Sequence, residues 1–166
     1  TFLLSLTFLF LFSGSVYGQE EVKKEYWDNG KLKSETHFKN GKPEGLETGW
    51  YESGKKKYTL RWKNGKPEGL KSWWYESGGK EFEVPYKNGK QEGLLTGWYE
   101  SGEKWFETHY KNEKKEGMEK AWYKSGRKQY LKHYKNGKEN GLRKEWNEDG
   151  AQKYEGNYVD DVEEIK

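Results

Sequence analysis

Phe38-Lys39-Asn40-Gly41-Lys42-Pro43-Glu44-Gly45 recurs, with one change, as Trp62-Lys63-Asn64-Gly65-Lys66-Pro67-Glu68-Gly69. Asn-Gly is the favoured pair for a tight hairpin turn, because both residues tolerate positive φ. The element returns as Tyr86-Lys87-Asn88-Gly89, Tyr110-Lys111-Asn112-Glu113 and Tyr134-Lys135-Asn136-Gly137, always 24 residues apart. A further glycine follows at 45, 69, 93, 117 and 141, and after each comes Leu46, Leu70, Leu94, Met118 or Leu142.

A second element alternates with the first. Tyr51-Glu52-Ser53-Gly54 recurs as Tyr75-Glu76-Ser77-Gly78, Tyr99-Glu100-Ser101-Gly102 and Tyr123-Lys124-Ser125-Gly126. Trp27-Asp28-Asn29-Gly30 precedes it by one period, and Asn147-Glu148-Asp149-Gly150 is a degraded copy one period later. This is a second turn, with Gly where φ must be positive. Two turns per period leave two strands of about six residues each. Side chains alternate as half-buried strands require. Phe82, Val84 and Tyr86 share one face, as do Phe106, Thr108 and Tyr110, while Leu94, Thr96 and Trp98 alternate with Leu95, Gly97 and Tyr99. The fold class is therefore all-β, an elongated antiparallel meander of tandem 24-residue β-hairpin repeats. It predicts about eleven strands, about 4.8 Å apart.

Composition sets limits on this reading. Hydrophobic residues make up 31% and charged residues 36% of 166, a balance that alone suggests disorder. Aromatic residues at 17% argue for a thin ring-built core instead. There is no cysteine, hence no disulfide. Net charge is +3, with Lys and Glu interleaved along the chain. That pattern reads as a solvated surface and not as the concentrated basic stripe that phosphate backbones need, so no nucleic-acid partner is expected.

The ends differ from the middle. Phe2 to Phe12 is an almost unbroken apolar run, followed by Ser13-Gly14-Ser15 and by Val16 and Gly18 at signal-peptidase spacing. The run is shorter than the roughly 20 residues of a membrane span. Residues 1–18 are thus expected to be a signal peptide, and the protein secreted or periplasmic. Residues 19–158 form the repeat domain, five full repeats plus a degraded cap, and 159–166 an acidic, frayed tail.

The string Tyr-x-x-Gly-x7-aromatic-Lys-Asn-Gly-Lys-x-x-Gly, over about residues 24 to 158, resembles the MORN-repeat variant of YwqK-type proteins. The blocks at 38–45 and 62–69 carry the resemblance most strongly. It implies a sheet of stacked hairpins with a binding or scaffolding role and no catalysis. It also implies an antitoxin-like, toxin-neutralising alternative, a label some bacterial members bear. Glu113 departs from the pattern at a turn glycine.

No constellation for chemistry emerges. His37, His109 and His133 share one repeat position with Arg61 and Pro85, which reads as outward and solvated. Ser53, Ser77, Ser101 and Ser125 are turn residues without a paired base. The Gly-Lys pairs lack the spacing of a phosphate loop. Glu44, Glu68, Glu92 and Glu116 read as a charged edge. No enzyme, metal or cofactor is expected. The candidate binding residues are the ring pairs Trp50-Tyr51, Trp74-Tyr75, Trp98-Tyr99 and Trp122-Tyr123, one ring on each face of the sheet. The expected function is a protein-interaction scaffold with another protein as partner. Cell-wall glycan is the alternative, since Thr48-Gly49-Trp50 and Thr96-Gly97-Trp98 resemble choline-binding repeats. Membrane-surface contact ranks third, for want of a basic amphipathic helix.

Overall fold

The structure is a computed structural model that describes residues 18–164. Residues 1–17, with the apolar run read as a signal peptide, lie outside the described residues. All regular structure among the described residues is strand. The first hairpins use β1 (Glu20–Tyr26), β2 (Leu32–Lys39), β3 (Lys42–Pro43), β4 (Gly45–Trp50), β5 (Lys56–Lys63), β6 (Lys66–Pro67) and β7 (Gly69–Trp74). The middle comprises β8 (Lys80–Lys87), β9 (Lys90–Gln91), β10 (Gly93–Trp98), β11 (Lys104–Lys111) and β12 (Lys114–Trp122). The last are β13 (Lys128–Lys135), β14 (Lys138–Glu139), β15 (Gly141–Trp146), β16 (Gln152–Val159) and β17 (Val162–Glu163). They form one open antiparallel sheet in which β2 pairs with both β3 and β4, β5 with β6 and β7, β8 with β9 and β10, and β13 with β14 and β15, the other strands pairing in chain order. A two-residue segment such as β3 leads into β4 after a single residue, so the sheet has twelve full strands and a short thirteenth.

The turns explain the period. Asn40 and Gly41 have φ of 52° and 71°, the paired left-handed conformation of a type I′ hairpin. In the second turn Gly54 donates to the Tyr51 carbonyl and Tyr51 to that of Lys55, both at 2.8 Å, and Gly54 sits at φ 93°. The third glycine marks a bulge. Phe38 pairs with Pro43 but Glu35 with Thr48, so Glu44 and Gly45 are extra residues on the returning strand.

Repeats are stapled as well as paired. The Gly65 N–H donates to the Pro43 carbonyl and Gly89 to Pro67, each at 2.9 Å. The Glu44 carboxylate accepts the Asn64 N–H at 2.5 Å, and Glu68, Glu92 and Glu116 accept from Asn88, Asn112 and Asn136 at 2.6, 2.7 and 2.8 Å. These glutamates are inter-repeat clasps and not the charged edge expected from sequence. The acidic residues near the end are placed in a turn and a short strand. Asp160 and Asp161 take φ of 50° and 71°, Val162 pairs with Val159, and Asp161 accepts the Glu139 N–H at 2.7 Å. Aspartate tolerates the left-handed region, so this pair replaces Asn-Gly.

Glu113 occupies its turn at φ 66°, a conformation costly for a residue with a Cβ. Glu113→Gly should therefore raise stability by about 1 kcal/mol in a urea melt. A loss of stability would show that the Glu113 side chain holds the turn.

The single layer defines two faces. The front carries Tyr58, Leu60 and Trp62 opposite Gly49, Glu47 and Gly45; the back carries Leu46, Thr48 and Trp50. Only Leu60, Val84 and Ala121 are buried hydrophobic residues among those described, all on the front. Rings lying across neighbouring strands supply the remaining cover. A Cβ on Gly49 would stand 2.1 Å from the Tyr58 ring, and one on Gly97 2.6 Å from Phe106, so these glycines leave room for the neighbour's ring.

Candidate functional site

On the back face Trp50, Trp74, Trp98 and Trp122 are half-buried. The ammonium groups of Lys56, Lys80 and Lys104 lie 5.3, 5.8 and 5.9 Å from the ring centres of Trp74, Trp98 and Trp122. Trp74, Trp98 and Trp122 are therefore each covered by a lysine of the preceding turn. Tyr51, Tyr75, Tyr99 and Tyr123 are half-buried too, and their hydroxyls donate to the carbonyls of Trp74, Trp98, Trp122 and Trp146 at 2.7, 2.8, 2.8 and 2.8 Å. Those carbonyls sit where the ladder changes register, beside Trp73/Trp74 and its equivalents. Trp27 makes the same contact one period earlier, its ring N–H reaching the Trp50 carbonyl at 3.2 Å. The eight ring residues singled out from sequence thus make one inter-repeat spine. Burial raises the Tyr51, Tyr75 and Tyr99 hydroxyls above the ordinary tyrosine range.

What the back face exposes is different. Leu46, Leu70, Leu94 and Met118 are 46%, 52%, 37% and 39% exposed. They share one rung, opposite Arg61, Pro85, His109 and His133. Two residues further along each strand, on the same face, the register sets lysine directly against lysine. Lys39 faces Lys42, Lys63 faces Lys66, Lys87 faces Lys90, Lys111 faces Lys114 and Lys135 faces Lys138. All ten are exposed. Among the described residues only Lys39 of these ten has an ion pair, with Glu20 at 3.3 Å. The ten lysines thus line one long side of the sheet as a comb, the side whose turns also hold the clasp carboxylates Glu44, Glu68, Glu92 and Glu116.

On the front face Glu47 and Glu119 are held by donors, while the buried Glu139 Oε1 accepts no hydrogen bond among the described residues and faces Arg143 at 3.6 Å. Glu47 accepts from the Tyr58 hydroxyl at 2.7 Å and the Trp62 ring N–H at 2.6 Å. Glu119 is buried and accepts from Tyr130 at 2.8 Å, from Thr108 at 3.3 Å and from Lys115. Burial lowers Lys71, whose ammonium lies 4.1 Å from the Trp73 ring.

The histidines do not share one environment. His37 is exposed and pairs with Glu35 at 3.3 Å, and His109 is exposed. His133 and Pro85, expected outward and solvated, are half-buried, and the His133 Nδ1 lies 2.9 Å from the Leu142 carbonyl. Among the described residues no group of three or more His, Cys, Asp or Glu is placed to hold a metal. Ser53 serves its turn, its hydroxyl 3.5 Å from the Lys55 N–H.

A family model described as MORN repeat variant matches residues 22–40, 43–64, 67–88 and 91–112, just over half of the chain. Strand pairing and clasps continue past the last matched residue to Glu163. No curated protein matches.

Proposed function

Because the chain belongs to the MORN repeat variant family, we propose that it is a non-catalytic scaffold that binds an acidic partner protein across its back face, outside the cytoplasm. The observation that carries this reading is the lysine comb. Like charges directly opposite each other weaken a sheet, and here five such pairs stand in register. Such a pattern calls for an outside counter-charge. The exposed Leu46, Leu70, Leu94 and Met118 beside it supply apolar contact at every period. The family contributes the general role, binding repeats without catalysis. The apolar run at 2–12 supports the extracytoplasmic placement.

The test is affinity capture of the tagged full chain from its native cell envelope after cross-linking, beside a Lys66→Glu, Lys90→Glu, Lys114→Glu variant. Each substitution turns an opposed lysine pair into a cross-strand ion pair, so the variant should melt at least as high as the parent. Partner binding should fall at least about tenfold, and binding to the parent should weaken as ionic strength rises. Recovery of one acidic protein in stoichiometric amount, lost with the variant, is the expected result. A small toxin as that protein would select the antitoxin-like reading. Equal recovery by parent and variant would reject the comb as the binding surface.

A further inference from the structure

Residues 33, 57, 81, 105, 129 and 153 share one repeat position, and five of them are Lys33, Lys57, Glu81, Gln129 and Lys153. The exception is Trp105, which is 38% exposed. It is the extra residue of a bulge, because Gly97 pairs with Phe106 and Trp98 with Lys104. The bulge brings its ring onto the front face beside Phe106 and Phe82. Three rings brace it: Phe106 edge-on at 5.1 Å, Tyr99 at 5.9 Å and Phe82 at 6.1 Å between centroids. An exposed ring fixed by its neighbours loses little freedom when a ligand stacks on it.

Trp105 also walls a hollow of about 340 Å³, with Tyr110 and Tyr130 as further rings and Lys115, Glu119 and Gln129 as polar lining. That volume lies at the small end of ligand sites, which run from about 300 to 1,000 Å³. The polar lining is balanced. The buried Glu119 carboxylate is held by Tyr130 and Thr108 and neutralised by Lys115 inside the hollow. An incoming cation would have to displace the Lys115 ammonium, and an incoming anion would meet Glu119. The Tyr110 hydroxyl and the Gln129 amide have no hydrogen-bond partner among the described residues. A braced ring, an uncharged balance and free neutral hydrogen-bonding groups suit a ligand with one apolar face and a hydroxyl rim.

We propose that this hollow binds a neutral saccharide, one sugar ring stacking on Trp105 with its hydroxyls meeting Gln129 and Tyr110. The site lies on the front face and is independent of the lysine comb. It is also distinct from the tryptophans of the back face.

The test is calorimetric titration of the full chain with three neutral oligosaccharides: cellohexaose, maltohexaose and N-acetylchitohexaose. The expected result is saturable binding of at least one of them, with a Kd at or below about 1 mM. Trp105→Lys places there the residue that Lys57 and Lys153 already provide, so the sheet should form as before while affinity falls at least tenfold. Should Trp105→Lys fail to fold, Trp105→Gln, which copies Gln129, takes its place. Gln129→Lys should weaken binding while leaving the Trp105 stack intact. The comb variant should bind sugar like the parent, which separates a failure here from a failure of the scaffold reading. If no oligosaccharide binds, or if the Trp105 variants bind as tightly as the parent, the proposal falls.

Discussion

Gly89→Val is expected to destabilise the protein by about 3 kcal/mol in a denaturant melt followed by tryptophan fluorescence. Gly89 sits at φ 85° as the second residue of a type I′ turn. A β-branched residue is a genuine outlier in that region. Space is short as well, since a Cβ there would stand 3.4 Å from Lys66 Cβ of the preceding repeat. The turn cannot move aside cheaply, because the Gly89 N–H is bound to the Pro67 carbonyl and the Asn88 N–H to the Glu68 carboxylate. The chain contains its own control. Glu113 already occupies the equivalent turn position, so Gly89→Glu should cost only about 1 kcal/mol. Stability in a stacked-repeat protein is a sum over repeats and their nearest-neighbour interfaces. A damaged central turn should therefore also split the melt, with the repeats before and after Gly89 unfolding separately. A Gly89→Val protein within about 0.5 kcal/mol of the parent would overturn the turn geometry.

The same residues show how far sequence reasoning reaches. The turns were legible because positive φ restricts residue choice locally, and Asn-Gly at a fixed spacing has one physical meaning. Strand alternation was legible because it needs only a period of two. The clasps were not. Glu44 finds its partner at Asn64 and Tyr51 at Trp74, contacts that exist only once repeat has stacked on repeat. Charge was the least legible property. Read along the chain, Lys and Glu alternate and cancel to +3. The fold instead sets Lys39, Lys63, Lys87, Lys111 and Lys135 directly opposite Lys42, Lys66, Lys90, Lys114 and Lys138. Trp105 did leave a signal, as the single ring at a repeat position held elsewhere by Lys, Glu or Gln. The Trp-Tyr pairs are more conspicuous in sequence, yet their regularity reflects a structural spine, since each Tyr hydroxyl must meet the next repeat's Trp carbonyl.

Loss of structure in alkali is the second large effect, and its cause is the way the front face pairs phenols with carboxylates. Burial, reinforced by Glu47, pushes the Tyr58 hydroxyl far above the ordinary tyrosine range. Burial and Glu119 do the same to Tyr130, and burial pushes Tyr134 up to about 12, with Glu119 and Glu139 adding to it. An ordinary tyrosine ionises near pH 10 in the unfolded chain. Below that pH these phenols are neutral in both states, and their contribution to stability is fully present. Above it the unfolded chain releases protons that the folded chain retains, so stability falls steadily as pH climbs from about 10 through 12. Ionising Tyr58 would set a phenolate 2.7 Å from the Glu47 carboxylate, and ionising Tyr130 one at 2.8 Å from Glu119. Unfolding should then release these protons together, and tyrosinate absorbance should rise as a steep step that coincides with loss of the β signal in circular dichroism. A Tyr58→Phe, Tyr130→Phe variant should be less stable at neutral pH, because two carboxylates lose a donor. Its stability should nevertheless decline less steeply above pH 10, since two of the protons retained on folding are gone. If all 13 tyrosines instead titrate near pH 10 with the sheet intact, the front-face carboxylates do not hold these phenols as described.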